Sequence, residues 1–417
     1  MAFDNHYSKV VRLDQALLST KQNQLNPLQY FPHYQPIIYL PSGEIAGYET
    51  LARTLNHKQR VSSAGELFSD IHYSLSDRRE VDRSVRKQAL QHFAQSQREG
   101  FLTLNIVPDW VDMLGRDLCS PTIEMIQQIG IDPSRVIIEI TEASGNIDNL
   151  QRVVKEYHRA GLRVAIDDFG AGASQIDRII ALEPDIIKLD MRLFKEATKG
   201  GLSADVVLSI SELVQRAGCE LICEGVETEQ EFHFGVECGA RYMQGWLFYQ
   251  AQPDFLVAQM SQAKVKTLLG SYLKRKSSRT SATIKHNVAV KSSVLALKHQ
   301  LQHGGNALSL ERQLAKAGIL RYFLCRVDGT QVSPNFEVTN SGIEEDEQYI
   351  GFNWSFRPYF HALVAMDTVK PQQLILSKIY RDSSSQEMCK TFSTYLSKDL
   401  VLLVDCKVED DTLLVEE

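Results

Sequence analysis

Five carboxylates and one amide stand at the ends of strand-like segments: Glu49, Asn105, Glu139, the neighbours Asp167 and Asp168, and Glu224, with Lys188 among them. Apolar strands that stop on acids aim them at one shared rim, and such crowding is stable only around a cation or a reacting proton. These hard oxygen donors select Mg²⁺, Mn²⁺ or Ca²⁺ over sulfur-seeking metals. The set exceeds what a single octahedral ion needs alongside its waters and substrate. Two ions roughly 3.5 to 4 Å apart are therefore expected, a geometry suited to phosphodiester hydrolysis. Lys188 would orient the attacking water or offset charge in the transition state. Glu224 would be a second-ion ligand or a general base, two roles the sequence does not separate. Any one acid alone reads equally well as a salt-bridged rim residue; the joint placement carries the argument.

Asp167 and Asp168 make a geometric demand. Strand neighbours face opposite sides, so both reach one site only where the strand turns into a loop, and Gly170 and Gly172 supply that turn. The FGAG run has too few glycines for a dinucleotide fingerprint.

The elements that must position these groups follow from periodicity. Between residues 101 and 250, short β-rich runs (FLTLNIVP, RVIIEITE, RVAIDDFG, DIIKLD, ELICEGVE, RYMQGWLF) alternate with helical patterns such as IDNLQRVVKEYHRAG and SADVVLSISELVQRAG. The runs have the Ile, Val and Leu content of strands buried on both faces, and Gly161 and Gly218 are placed as helix C-terminal caps. Positions 105, 139, 167, 188, 224 and 244 lie 34, 28, 21, 36 and 20 residues apart. Those intervals are near the βαβ repeat of about 30 residues. Repetition of this kind favours a closed (β/α) barrel, an α/β fold whose chemistry sits where strands end.

At 417 residues the chain exceeds what one core normally serves, so two domains are expected. Residues 261–316 are basic, polar and helix-compatible, and read as a helical connector with a solvated face. Their Lys and Arg lack the aromatic interleaving of a nucleic-acid patch. After the connector, LRYFLCRVDGTQVSP gives a strand, a turn at Asp328-Gly329 and the start of another strand; later runs complete a small α+β domain with an antiparallel sheet. The predicted division is an N-terminal extension at 1–27, a barrel at 28–260, a connector at 261–316 and a second domain at 317–417.

A formal net charge of -7 with 23% charged residues gives no reason to expect DNA or membrane binding, and an anionic ligand would need metal ions to attract it. The first residues lack the apolar stretch of a secretory signal, and no run approaches the roughly 18 apolar residues of a spanning helix. Seven scattered cysteines read as reduced thiols, so the expected location is the cytoplasm. Cys219 and Cys223 have no second ligand pair at zinc spacing nearby.

YETLAR (48–53), LNIVP (104–108), EITE (139–142), DDFGAGAS (167–174), KLD (188–190), EGVE (224–227) and QGWLF (244–248) resemble, in order and spacing, the motifs of the EAL-domain family. The resemblance covers residues 28–260, and its motifs are jointly specific. It implies a (β/α) barrel, usually a homodimer, that hydrolyses cyclic di-GMP to linear pGpG with Mg²⁺ or Mn²⁺. It further implies that Glu49, Asn105, Glu139, Asp167, Asp168 and Glu224 are metal ligands, that Lys188 positions the water, and that Gln244 stands near the nucleophile. Glu142 matches the acid that holds the DDFGAGAS loop. Gln35, Leu51, Arg53 and Asp190 match substrate-contacting positions, Arg53 being suited to a phosphate oxygen and Leu51 open to a plain packing role.

Two features depart from the family pattern. Thr50 replaces the signature alanine but should face away from the site, while Ala173 and Gln175 alter the loop in ways that bear on rate more than binding. The back of the chain resembles PAS-like or Cache-like sensors. Trp354, Arg357, Tyr359, Tyr380 and Asp405 would line its pocket, the arginine suiting a small carboxylate and Asp405 an amine, unless Trp354 and Tyr359 simply pack the core. Three functions compete: a metal-dependent cyclic di-GMP phosphodiesterase regulated by that sensor, a catalytically weak or silent cyclic di-GMP receptor, and an unrelated barrel enzyme acting on an enolate. Retention of every ligand position places the first ahead.

Overall fold

The computed structural model describes residues 26–69, 73–106, 120–141, 146–171, 176–339, 341–367, 373–382 and 384–408. The chain divides into two compact units, Met1–Gly270 and Ser271–Glu417.

Nine strands form the sheet of the first unit: β1 (Tyr30–Tyr39), β2 (Glu44–Leu55), β3 (Val61–Ser63), β4 (Phe101–Ile106), β5 (Val136–Thr141), β6 (Arg163–Phe169), β7 (Ile186–Leu189), β8 (Glu220–Cys223) and β9 (Tyr242–Met243). Their order is β1-β9-β8-β7-β6-β5-β4-β2-β3, and β1 also pairs with β2, so all but β3 close into an eight-strand barrel. Neighbours from β2 through β4 and on to β9 run parallel, with crossovers that include helices Ile147–Arg159 and Leu202–Arg216. Strand β1 is antiparallel to both β2 and β9. Only Leu40 to Gly43 join β1 to β2, a link far too short for a parallel crossover. The expected barrel is present, with one inverted strand that the repeat beginning at residue 101 does not disclose.

Side-chain alternation sorts this barrel into layers. Ile37, Phe101, Ile137, Ala165, Ile186, Ile222 and Tyr242, each from a different strand, pack together as a floor inside it. Residues of opposite parity, among them Ile138, Val164, Ile187 and Leu221, cluster with Val153, Val207 and Phe232 of the surrounding helices. With a period of two, the inward positions next above the floor are Glu139, Asp167, Lys188, Glu224 and Gln244, and Asn105 lies four residues beyond Phe101. A slip of one residue in any strand would drive its polar group into the helix layer.

The second unit holds β10 (Ile319–Arg326), β11 (Asn335–Thr339), β12 (Gly342–Asp346), β13 (Ile375–Leu376), β14 (Tyr380–Arg381), β15 (Met388–Tyr395) and β16 (Leu400–Lys407). They form one antiparallel sheet, ordered β12-β11-β10-β16-β15-β13 with β14 on β15. One face packs Tyr322, Phe392, Leu402 and Val404 against Val290, Val294 and Leu297 of helix Gln262–Gln302. The other packs Phe323, Cys325, Val401 and Leu403 against Tyr359, Phe360 and Leu363 of helix Pro358–Asp367. The expected turn closes where Gly329 N–H donates to the Arg326 carbonyl at 2.9 Å.

Within residues 261–316 the expected helical segment is present as the helix Gln262–Gln302, and one stripe of it is buried. Val265 and Leu268 join the barrel core, and Val290, Val294 and Leu297 join the core of the second unit. These apolar residues recur at three and four positions, a stripe that numerous Lys and Arg on the other faces conceal in the average composition.

Candidate active site

Lys188 is fully buried at the centre of the acids. Its Nζ lies 2.6 Å from Glu224 Oε1, 2.9 Å from Glu139 Oε1, 3.1 Å from Asp167 Oδ1 and 3.7 Å from Glu49 Oε1. Burial opposes the ammonium charge, but the carboxylates of Asp167, Glu139, Glu224 and Glu49 prevail and hold the Lys188 pKa well above the usual lysine range. The acids shift because they are desolvated together. Burial, only partly offset by Lys188, pushes Glu139 up to about 8 and Glu224 well above the usual carboxylate range. Asp168 is pushed up to about 6 by burial and by the adjacent Asp167 charge.

The paired aspartates meet their geometric demand through a break in the strand. The β6–β7 register shifts between Ile166 and Phe169, and Asp168 adopts a left-handed φ of 53° while its N–H donates to Asp167 Oδ1 at 3.0 Å. Such a conformation interrupts the alternation of the strand and lets both carboxylates serve one rim, at a cost of about 1–2 kcal/mol for a residue with a Cβ. Gly170 follows at φ +99°, where a Cβ would come within 2.4 Å of Leu193 Cδ2, so this turn requires glycine.

Glu49 is oriented by two amides. Asn105 Nδ2 donates to Oε1 at 3.2 Å, and Gln244 Nε2 donates to Oε2 at 2.5 Å. The Gln244 Oε1 atom is buried and accepts no hydrogen bond among the described residues. Glu139 Oε1 and Glu224 Oε1 are ion-paired to Lys188, and Glu139 Oε2 is a further buried oxygen without a partner among the described residues.

Two acid triads emerge. Ligand atoms of Glu49, Glu139 and Asp167 lie within 4.8 Å of one another, and so do those of Asp167, Asp168 and Glu224, with Asp167 common to both. Four carboxylates around one buried ammonium, with Asp168 beside Asp167 and Glu224, are a hard oxygen set that fits divalent cations.

Beside Asn105 opens a pocket of about 260 Å³ whose wall includes Thr50, Leu51 and Arg53. Gln35 lies opposite Glu49 in the β1–β2 register and donates to the Tyr249 carbonyl at 3.4 Å. Asp190 has local work as well: its Oδ1 caps helix Met191–Ala197 by accepting from Leu193 N–H at 2.9 Å. Glu142, Gly172, Ala173 and Gln175 lie outside the described residues. The sequence reading missed Asp82 and Arg86, which line the same pocket from helix Leu75–Ser96. Arg86 Nε donates to Asp82 Oδ2 at 2.6 Å, and burial pushes Asp82 up to about 6 even against that partner. Their i, i+4 spacing beside the buried residues Val81, Val85 and Ala89 is the signal that could have found them.

In the second unit, Trp354, Arg357, Tyr359, Tyr380 and Asp405 line one small cavity together with Arg321 and Asp382, which the sequence reading did not mark. Alternation along β10 and β16 puts Arg321 and Asp405 on the sheet face that carries Tyr359.

The model of the EAL domain matches residues 15–252, and that of the EAL-domain associated signalling protein domain matches residues 256–411. The uncharacterized EAL-domain containing protein YkuI of Bacillus subtilis is 27% identical over 387 residues, 90% of this chain and 93% of the relative. Its crystal structure, in complex with substrate c-di-GMP and calcium, superposes with a TM-score of 0.79 at 25% identity over 92% of this chain and 100% of that one. The cyclic di-GMP phosphodiesterase RocR of Pseudomonas aeruginosa is 28% identical over 236 residues, which are 54% of this chain and 58% of RocR. A manganese and cyclic di-GMP complex of Klebsiella pneumoniae BlrP1 matches at 26% identity and a TM-score of 0.50, over 57% of this chain and 59% of that one.

Proposed function

This chain belongs to the EAL-domain family, and from that premise we propose that it hydrolyses cyclic di-GMP to linear pGpG using two divalent cations, Mg²⁺ or Mn²⁺. The observation that carries this reading is the pair of acid triads joined at Asp167. Bound there, with Asn105 as a further oxygen donor, the ions would supply Lewis-acid charge and lower the pKa of a water. The chain's own groups do the rest. Gln244 and Asn105 fix the Glu49 carboxylate, and the free Gln244 Oε1 is placed to accept a hydrogen bond from water. Lys188 holds four acids together and counters the charge that builds on the phosphoryl oxygens. Arg53 is suited to a phosphate oxygen of the substrate, with Leu51, Gln35 and Asp190 as further substrate contacts. Hydrolysis forms one bond from the water oxygen to phosphorus and breaks one ester P–O bond, with the leaving oxygen taking up a proton.

The enzyme works as a cytoplasmic homodimer with its catalytic part at 28–260, a linking helical segment at 261–316, and a regulatory, small-molecule-binding part at 317–417. Family resemblance supports these assignments, and the match to the EAL-associated signalling domain supports the last. Incubating the purified full chain with cyclic di-GMP and Mg²⁺ or Mn²⁺, alongside Glu49→Ala and a chelated control, tests the activity by chromatography of the nucleotides. Metal-dependent pGpG that the variant does not make is expected. Tight binding with unchanged nucleotide would instead establish a receptor.

A further inference from the structure

The charges around the cavity of the second unit are unequally satisfied. Arg321 is buried and occupied by protein: Nη2 lies 2.7 Å from Asp382 Oδ2, and Nε lies 3.1 Å from Glu337 Oε1. Asp382 Oδ2 also accepts from Ser384 Oγ at 2.6 Å and from Ser385 N and Oγ at 2.8 Å. Asp382 is thereby saturated, and Arg321 is ion-paired to Asp382 and Glu337, although its Nε makes no hydrogen bond among the described residues.

Two poles remain open. Arg357 has no ion pair among the described residues, and its guanidinium lies 5.3, 5.7 and 5.8 Å from the ring centroids of Phe356, Tyr380 and Trp354. Asp405 is buried, and its hydrogen bonds from Thr391 Oγ1 at 2.8 Å and Tyr380 OH at 3.2 Å both fall on Oδ1. Its Oδ2 meets Arg321 Nε only at 3.9 Å, beyond hydrogen-bond reach.

We propose that this cavity binds a small zwitterion of the α-amino-acid class, with the ligand carboxylate on Arg357 and the ammonium on Asp405. The inference deepens the reading of this unit as a small-molecule receiver and does not depend on hydrolysis in the other. A simple anion satisfies Arg357 but adds charge beside Asp405 and Asp382. A simple cation satisfies Asp405 but leaves Arg357 unpaired. A dipolar ligand answers both poles, which line one cavity. About 50 Å³ is open to the centres of water-sized molecules, which suits a ligand of a few heavy atoms and excludes a nucleotide.

Calorimetry on the full-length protein tests this, using each of the common L-α-amino acids and then, for any that binds, its N-acetyl derivative and its decarboxylated amine. At least one amino acid is expected to bind, both derivatives to bind at least about tenfold more weakly, and Arg357→Gln to weaken it by a similar factor without changing the melting temperature. Asp405→Asn should do the same; because that side chain is buried, the outcome at the half-buried Arg357 decides the matter if the Asn variant misfolds. Binding by none of the amino acids, equal binding of either derivative, or wild-type affinity in Arg357→Gln would overturn the proposal. Binding is read directly, so failure here leaves cyclic di-GMP hydrolysis standing, and absence of hydrolysis leaves this site standing.

Discussion

Gln244 Nε2 donates to Glu49 Oε2 at 2.5 Å although 195 residues separate them, so strands β9 and β2 are tied together across the inverted β1. Asn105 takes the other Glu49 oxygen, and these two amides fix the direction in which the carboxylate presents its remaining lone pairs. Gln244→Ala should therefore lower kcat for cyclic di-GMP hydrolysis by about 10- to 100-fold, the usual effect of removing a group that orients a metal ligand. Steady-state kinetics with a melting curve as control will decide it, and an unchanged kcat would show that Glu49 needs no such support.

Among the described residues, Lys188 is the ammonium that pairs with Glu49, Glu139, Asp167 and Glu224, so Lys188→Met removes the partner and leaves the acids. Without divalent metal, urea denaturation should show a loss of about 3–5 kcal/mol, as for other broken buried ion pairs. Saturating Mg²⁺ should restore more stability to this variant than to the wild type. Equal responses would mean that the acids are neutral without Lys188.

The pH dependence has a definite sign. Glu139 rises from 4.5 to about 8 on folding, mainly through burial, so between those values the folded protein keeps a proton that the unfolded chain has lost. Stability of the metal-free protein then falls as pH rises through that window. Asp168 and Asp82, raised from 3.8 to about 6, act in the same direction over the lower part of it. Metal ligation requires the deprotonated acids, so the Mg²⁺-induced rise in Tm should grow with pH through about 8. Thermal melts with and without Mg²⁺ across the range supply the check.

Much of the barrel was legible because its period is strict: the runs RVIIEITE, RVAIDDFG and DIIKLD become β5, β6 and β7 within a residue or two. The inward parity of Glu139, Asp167 and Lys188 was equally present, two residues after Ile137, Ala165 and Ile186. Three things were hidden. The inversion of β1 depends on a short link before the repeating region begins. The convergence of Asp167 and Asp168 was expected, but the bulge that achieves it leaves no composition signature. Asp82 and Arg86 reach the pocket from a helix, so a search confined to strand ends passes over them. In the second unit, Arg357 and Asp405 were visible as types, but only the sheet pairing shows that Arg321 is already occupied by Asp382.

Asp168 pairs a left-handed backbone with a carboxyl that burial and its neighbour oppose. Asn tolerates that conformation as well as Asp does, and it carries no charge. Asp168→Asn should thus raise the melting temperature of the metal-free protein at neutral pH while weakening metal binding by at least about tenfold. A variant no more stable than wild type would show that the Asp167 charge is screened from Asp168, which is an exposed residue.

The central claim is that the two triads sharing Asp167 hold two hard cations. A crystal of the full chain soaked in Mn²⁺, measured for anomalous scattering, should show two peaks roughly 3.5 to 4 Å apart. One should lie among Glu49, Glu139 and Asp167 and the other among Asp167, Asp168 and Glu224. Peaks elsewhere, or no peak among these carboxylates, would contradict it.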